Sequence, residues 1–444
     1  MRTASLSYAL GALGMFGALG AAPPALAQQS TGGPPDTLHL AAVQAEAQAT
    51  DPRRRQLDLQ AQASALALRT LAAERLPALS STGQAQYQSA VTHVPISLPG
   101  ISIPTPSNDT YDARVNVQES ILDPTHNPRV AAEQAKLGES VAQVRTSLYS
   151  LRQEVNDAFF SALLAQQREA QVLVAIADLG ARLRDTEARR REGTATPGDT
   201  ASIAATLLQR NQDLAQFRAD RRAALNRLGD LIGRVLPDST ALAIPPLDST
   251  VARAVRLSID SLRARPEYGQ FSATRQRLAT QEAVIAAQDK PRVSAFGRVG
   301  YGRPGLNMLS TDFQSYWLAG VQVQWSPWTW GTTQRDKEAI EIHREIVQTN
   351  ESAFTASLRR GVQQSLATIQ RLDTALALDD QVIALRAQVE RETAAKLREG
   401  VVTAAEYADR STDLLAARLA RAQHEVELAQ ARAAYLTTLG VNAP

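Results

Sequence analysis

Cysteine is missing from all 444 residues, which excludes a disulfide framework, a cysteine nucleophile and a lipid-modified cysteine at a mature N-terminus. An excess of one charge is missing too. The 47 Lys and Arg stand against 45 Asp and Glu, for a net charge of +2, which gives no case for a nucleic-acid partner. Long apolar runs are also absent. The stretch Ala9 to Gly20 falls short of the roughly 18 residues a membrane-spanning helix needs, and glycines interrupt it. With Arg2 before it and Ala25-Leu26-Ala27 after it, it reads as a secretory signal peptide over residues 1–27, implying export.

Catalytic signatures are equally scarce. Gly300-Tyr-Gly302-Arg-Pro-Gly305 matches G-x-G-x-x-G in form, but the alternation after it marks a strand where a dinucleotide site needs a helix. It reads as a hairpin loop. His39, His93, His126, His343 and His424 are scattered, whereas a metal site needs three or four converging ligands. No G-x-S-x-G or P-loop occurs. No enzyme activity, cofactor or metal is expected.

Proline is absent between Pro128 and Pro197 and again from Gly331 to Ala443. The uninterrupted, Ala/Leu/Arg-rich composition predicts helices over about 128–192, 197–232, 332–399 and 404–440. Two stretches of roughly 65 residues would each extend about 100 Å at ~1.5 Å per residue. That is far beyond a globular helix.

The chain is written twice. Arg191-Glu192-Gly193 and Arg398-Glu399-Gly400 lie 207 residues apart, and the same offset pairs Asp199 with Glu406, Leu207 with Leu414 and Gly233 with Gly440. Upstream, an offset of 214 pairs Pro52 with Pro266, Gln56 with Gln270, Gln62 with Gln276 and Pro77 with Pro291. The first copy therefore carries seven extra residues, assigned to the proline-rich loop between His93 and Thr110. The repeats span 28–233 and 234–444.

Within each copy the period switches from helical to two. Tyr111, Ala113, Val115 and Val117 alternate with Asp112, Arg114, Asn116 and Gln118, and Trp317, Ala319, Val321 and Val323 flank Gln322 and Gln324. Strands are predicted at about 80–94, 110–122, 292–302 and 312–326, as two hairpins. A soluble sheet with one wet face reads this way. So does an outer-membrane barrel, whose strands are about ten residues long with alternating faces. Trp317, Trp325, Trp328 and Trp330, all the tryptophans of the chain, gather near the last strand, where an interfacial aromatic belt would put them. The helix after the second turn carries Leu415, Leu419, Ala422, Val426, Ala429, Ala433, Leu436 and Gly440, a 4-3 spacing with small knobs that marks a coiled-coil seam.

Gly193 and Gly400 supply the permissive backbone of a helix C-terminus, Thr196 and Thr403 cap the returning helices, and Asp199 and Glu406 stand at the capping-box position. Glu406 and Asp409 share a helix face, whereas the first copy has Asp199 and Ser202 there. Four strands cannot close a barrel, which needs at least about eight. A dimer would supply eight strands and a trimer twelve, with room for a lumen.

"TDPRR" (50–54), "ARPEY" (264–268), "LPALS", "KPRVS", "ILDPT" (121–125), "QWSPWTWG" (324–331) and the two "REG" turns, in this duplicated order, resemble the TolC-type outer-membrane efflux channels over essentially the whole mature chain. The first start lacks the family's glutamate. The resemblance implies a mixed α+β membrane protein, a homotrimer with a shared twelve-strand β-barrel continuing into a twelve-helix periplasmic barrel. It implies an outer-membrane exit duct that receives cargo from a periplasmic adaptor and an inner-membrane transporter, embedded in outer-membrane lipid. The outer component of a type I protein secretion system is the alternative, and a periplasmic coiled-coil scaffold a more distant one. The resemblance further implies that the turns bearing Arg191, Gly193, Asp199, Arg398 and Gly400 form the tip that meets the adaptor. Glu406 and Asp409 would line the periplasmic constriction. The family's basic latch residue has no counterpart, since Val402 stands in its place.

Overall fold

The computed structural model describes residues 37–91, 105–255, 263–308 and 310–441. The signal-peptide stretch, the end of the first predicted strand beyond 91 and most of the proline-rich loop lie outside these. Each repeat runs helix, helix, hairpin, long helix, return helix. The first contains α1 (Leu40–Thr50), α2 (Arg55–Ala73), β1 (Ala78–Tyr87), β2 (Asp109–Leu122), α3 (His126–Arg191) and α4 (Pro197–Ile232). The second contains α5 (Asp248–Ala254), α6 (Pro266–Gln288), β3 (Arg292–Arg303), β4 (Gln314–Gln324), α7 (Thr332–Arg398) and α8 (Ala404–Leu439). With 66 and 67 residues, α3 and α7 each extend about 100 Å.

The repeat survives in the details of the ends. Gly233 and Gly440 close α4 and α8 in the left-handed conformation at φ 73° and 79°, and Gly193 and Gly400 turn the chain at 78° and 73°. A side chain at such a φ is strained, so glycine is the natural choice at all four. The glutamate missing from the first start is replaced by a charge swap. Asp51-Pro52-Arg53 accepts and donates across its proline at 2.9 Å, and Arg265-Pro266-Glu267 makes the mirror pair at 3.0 Å. Either order ties down the residues flanking the helix start.

The strands form one antiparallel sheet in the order β1-β2-β3-β4, leaving β1 and β4 as free edges. β4 is shorter than its pattern suggested. After Gln324 the Trp325 indole N–H turns away to donate to the Asp289 carbonyl at 2.9 Å, and Pro327 follows.

The main core lies far along the helices from the sheet. Leu40 and Val43 of α1, Val155, Phe159 and Leu163 of α3, Leu228 and Ile232 of α4, and Val426, Ala433 and Leu436 of α8 are buried together. Of the seam predicted on α8, Leu415, Ala422, Val426, Ala429, Ala433 and Leu436 are buried, and Leu419 packs half-buried beside Leu415. A smaller cluster near the two turns joins Leu179, Ile203, Ala394, Leu397, Ala404 and Tyr407. Among the described residues no helix is long and apolar enough to cross a membrane.

Candidate functional site

Two regions carry unusual chemistry, the sheet and the paired turns. In the sheet the ordinary sorting of residues is inverted. Register places Leu79, Val117, Val115, Val299, Trp317, Ala319, Val321 and Val323 on one face, broken near its foot by Glu119. This apolar face is left uncovered: Leu79, Val299, Trp317, Val321 and Val323 are 63–74 % exposed, whereas the polar face is open only in part, along β1 and at Gln118, Gln314, Gln322 and Gln324. The opposite face holds Gln84, Gln86, Asp112, Arg114, Asn116, Gln118, Arg298 and Tyr316, and its Asp112 and Arg114 side chains are 23 % and 27 % exposed. Water-soluble sheets bury the apolar face; one left open suits lipid or a partner surface.

Aromatic groups mark both ends of that face. Trp325, Trp328 and Trp330 sit past the end of β4, with Trp328 and Trp330 edge to face at 5.8 Å. Trp317 is not part of this group. It lies within β4, the fourth of its eleven residues, opposite Val299. At the other end Phe313 stacks on Tyr301 at 5.6 Å and meets Tyr111 at 6.0 Å, while the Arg303 guanidinium covers Tyr111 and Phe313 and pairs with Asp109. Sequence reasoning missed this second cluster, because it is assembled from three strand ends that are distant in sequence. The eleven residues from Phe313 to Val323, ten steps apart, cover ~33 Å of extended chain, or ~25 Å in height at a ~40° tilt, matching the apolar band of a membrane barrel.

The two turns lie side by side around a cavity of about 350 Å³, lined by Arg189, Gly193, Thr196, Asp199, Leu397, Gly400, Val402 and Thr403 among others. Both close in the same way: the Thr194 N–H donates to the Arg189 carbonyl and the Val401 N–H to the Lys396 carbonyl, each at 2.9 Å. Thr196 and Thr403 cap α4 and α8 by accepting from the backbone N–H groups of Asp199 and Glu406. Arg191, Gly193, Arg398 and Gly400 are exposed around the turns.

The acids at the matching positions differ. One Asp199 oxygen takes the Thr196 N–H at 3.0 Å and the Thr196 hydroxyl at 2.7 Å, completing a capping box. Its other oxygen accepts from the Ala404 N–H at 3.2 Å, so one carboxylate serves the N-termini of both return helices. The Thr196 hydroxyl and N–H and the Ala404 N–H together hold the Asp199 carboxyl below its usual range. Glu406 closes no box. Glu406 and Asp409 are exposed on either side of buried Tyr407 and Ala408. No hydrogen bond or ion pair from their carboxylates is found among the described residues.

Further links join the first helix pair to the second. The Arg189 guanidinium donates to the Leu397 carbonyl at 2.8 Å, placing a cation at the C-terminus of α7. Arg182 lies over the fully buried Tyr407 ring at 5.4 Å and donates to its hydroxyl at 3.3 Å. Burial pushes the Tyr407 hydroxyl far up, so it stays neutral. Val402, where a basic latch was expected, packs half-buried against the Leu397 cluster. The basic links come from α3 instead.

By sequence the chain matches no family model and no curated protein. Its structure resembles solved outer-membrane channels. The fold superposes on CusC, whose structures concern folding and transmembrane channel formation, with a TM-score of 0.68 at 16 % identity over 90 % of this chain and 92 % of that one. VceC of Vibrio cholerae gives 0.64 at 15 % identity over 91 % and 97 %. The open state of the MtrE outer-membrane channel of Neisseria gonorrhoeae gives 0.64 at 19 % over 91 % and 89 %. The chain has the outer-membrane efflux-channel fold. Coverage of nine-tenths or more of this chain means that the likeness includes sheet, long helices and turns together.

Proposed function

We propose that three copies of this chain close their sheets into a twelve-strand barrel in the outer membrane, continued by twelve helices into the periplasm. The assembly is the exit duct of a tripartite efflux pump, passing cargo from an inner-membrane transporter and its periplasmic adaptor to the outside. The sheet carries this reading, because an exposed apolar face bounded by two aromatic clusters suits lipid and no element among the described residues covers it. The even strand count supports the closure. With β1 and β4 antiparallel at the two edges, β4 of one copy meets β1 of the next in antiparallel pairing, and a ring leaves no edge open.

In this reading the paired turns are the periplasmic tip, and Arg191, Gly193, Asp199, Arg398 and Gly400 lie at the surface offered to the adaptor. Glu406 and Asp409, being unpaired, form two acidic rings at the constriction. The Asp199, Arg189 and Arg182 links couple the helix pair bearing those acids to its neighbour and hold the tip closed.

Membrane fractionation of the full chain and of a chain lacking Thr110 to Leu122 tests the shared barrel. The full chain is expected in the outer membrane as a heat-sensitive trimer, and the deletion is expected to lose trimer and insertion together. A deleted chain that still inserts as a stable trimer overturns the reading.

A further inference from the structure

The inner face of the sheet is almost free of charge, and the few charges it has do not cancel. Between Ala78 and Gln86 on β1 and between Gln314 and Gln324 on β4 no ionisable acid or base occurs on that face. β2 contributes Asp112 and Arg114, and β3 contributes Arg298 above Arg292, which stands at the foot 3.8 Å from the Asp123 carboxylate. Asp112 is fully engaged, accepting from Arg114 Nη1 at 2.9 Å and from the Tyr316 hydroxyl at 2.5 Å. Among the described residues Arg298 has only a neutral partner, its Nε donating to the Asn116 side-chain carbonyl at 2.8 Å.

Register makes the imbalance local. Arg298 is directly opposite Asn116 and Arg114 directly opposite Gly300, so the two guanidinium groups occupy neighbouring rungs of adjacent strands on one face. Like charges so placed repel, and the one carboxylate nearby, Asp112, is bonded to Arg114 and not to Arg298. The wall around them is shaped rather than loose. A Cβ on Gly300 would lie 2.4 Å from the Tyr316 ring and one on Gly320 2.9 Å from the Phe296 ring, so two glycines let two aromatic rings lie across the strands beside the arginines.

We propose that Arg298, with Arg114 beside it, forms a basic collar inside the barrel that makes the outer section of the duct select for anionic cargo. This rests on the threefold barrel reading. Closure brings one uncompensated guanidinium per chain to the same height, three around the lumen, in a wall whose other charges on these strands are the Asp112–Arg114 pair and, at the foot, Arg292 beside Asp123. A charge ring in a neutral, low-dielectric wall concentrates counterions, and carboxylate- or phosphate-bearing molecules are its natural ligands. The collar is opposite in sign to the acids at the far tip, so the duct carries two charge filters in series. Arg298 is a specificity-determining residue in the outer one.

Reversal potentials of single channels in planar bilayers under a potassium chloride gradient test this. To remove the tip filter, the channels carry Glu406→Gln and Asp409→Asn throughout. In that background Arg298→Gln is expected to lower the chloride-to-potassium permeability ratio about twofold at ~0.1 M salt, the size set by three screened charges across a lumen. Asn116→Asp, which keeps Arg298 and adds a counter-charge next to it, is expected to shift the ratio the same way, and Arg298→Lys to leave it near the starting value. An unchanged ratio in both Arg298→Gln and Asn116→Asp channels overturns the collar while leaving the duct intact. Absence of any channel from the otherwise unmodified protein overturns the barrel reading instead.

Discussion

Two residues at matching repeat positions, Asp199 and Glu406, show how the duplication has been put to different uses. Asp199 is short enough to fold back on Thr196 and still reach the Ala404 N–H, so it is spent on structure. Glu406 leaves its cap to the Thr403 hydroxyl alone and faces solvent with Asp409. Free carboxylates on a constriction draw cations, and the double variant Glu406→Gln, Asp409→Asn is expected to reduce cation selectivity and divalent-cation block of single channels, read directly from bilayer recordings. Asp199 answers differently to pH. Its carboxyl is held below the usual value of 3.8, so its contribution is fully present above that pH and is lost only as acid carries the pH down through the lowered value. Conductance of the closed channel is therefore expected to stay constant between pH 5 and pH 8, as far as this bridge controls it, and to rise only below about pH 4. Opening at pH 5 to 6 that persists in Asp199→Asn would assign the response to another group. The positions of these acids were legible in the repeat. The links across the two turns were not, because the Ala404 N–H that Asp199 accepts and the Leu397 carbonyl that Arg189 donates to lie 205 and 208 residues from their partners and leave no periodic trace.

Elements were more legible than contacts wherever the signal was local. Proline-free helices, glycine turns and the 4-3 seam depend on neighbours a few residues away, and Leu415, Ala422 and Leu436 are buried as their spacing implied. Alternation in the strands showed that two faces exist but not which one is open. That depends on no element among the described residues packing on Val299, Trp317 and Val321. Trp317 and Trp325 lie in one short stretch of sequence, yet the first sits inside β4 toward its Phe313 end and the second past the opposite end. At the turns the local signal carries a mechanical consequence. Gly193 and Gly400 have φ near +75° with open space where a Cβ would be, so valine there is opposed by backbone strain alone, about 1–3 kcal/mol. Gly193→Val or Gly400→Val is expected to deform one turn and depress efflux, assayed by drug or metal susceptibility of cells, with trimer and membrane insertion unchanged on heated and unheated gels. Loss of the trimer would show that these glycines act in folding rather than at the adaptor surface.

At the scale of the whole molecule, stability and assembly divide along the long axis. The largest buried cluster, around Phe159, Phe160, Leu228 and Leu436, ties α1, α3, α4 and α8 together within one chain. Among the described residues nothing comparable lies under the sheet, whose apolar face is exposed and whose edge strands have no partner strand. A four-strand sheet with neither lipid nor neighbours has no apolar burial to offset the entropy of ordering it, whereas the helical middle does. Folding of the two ends is therefore separable, and the sheet end is linked to assembly by mass action. In a detergent-free, monomeric preparation, hydrogen exchange is expected to be fast through Ala78–Tyr87, Asp109–Leu122, Arg292–Arg303 and Gln314–Gln324 while the amides around Phe159 and Leu436 stay protected. Addition of detergent and assembly should bring the strands to slow exchange together, since closing a ring pairs every edge at once. Strands already protected in the monomer would mean that the sheet is stable unshared, and the case for a barrel made from several chains would fail.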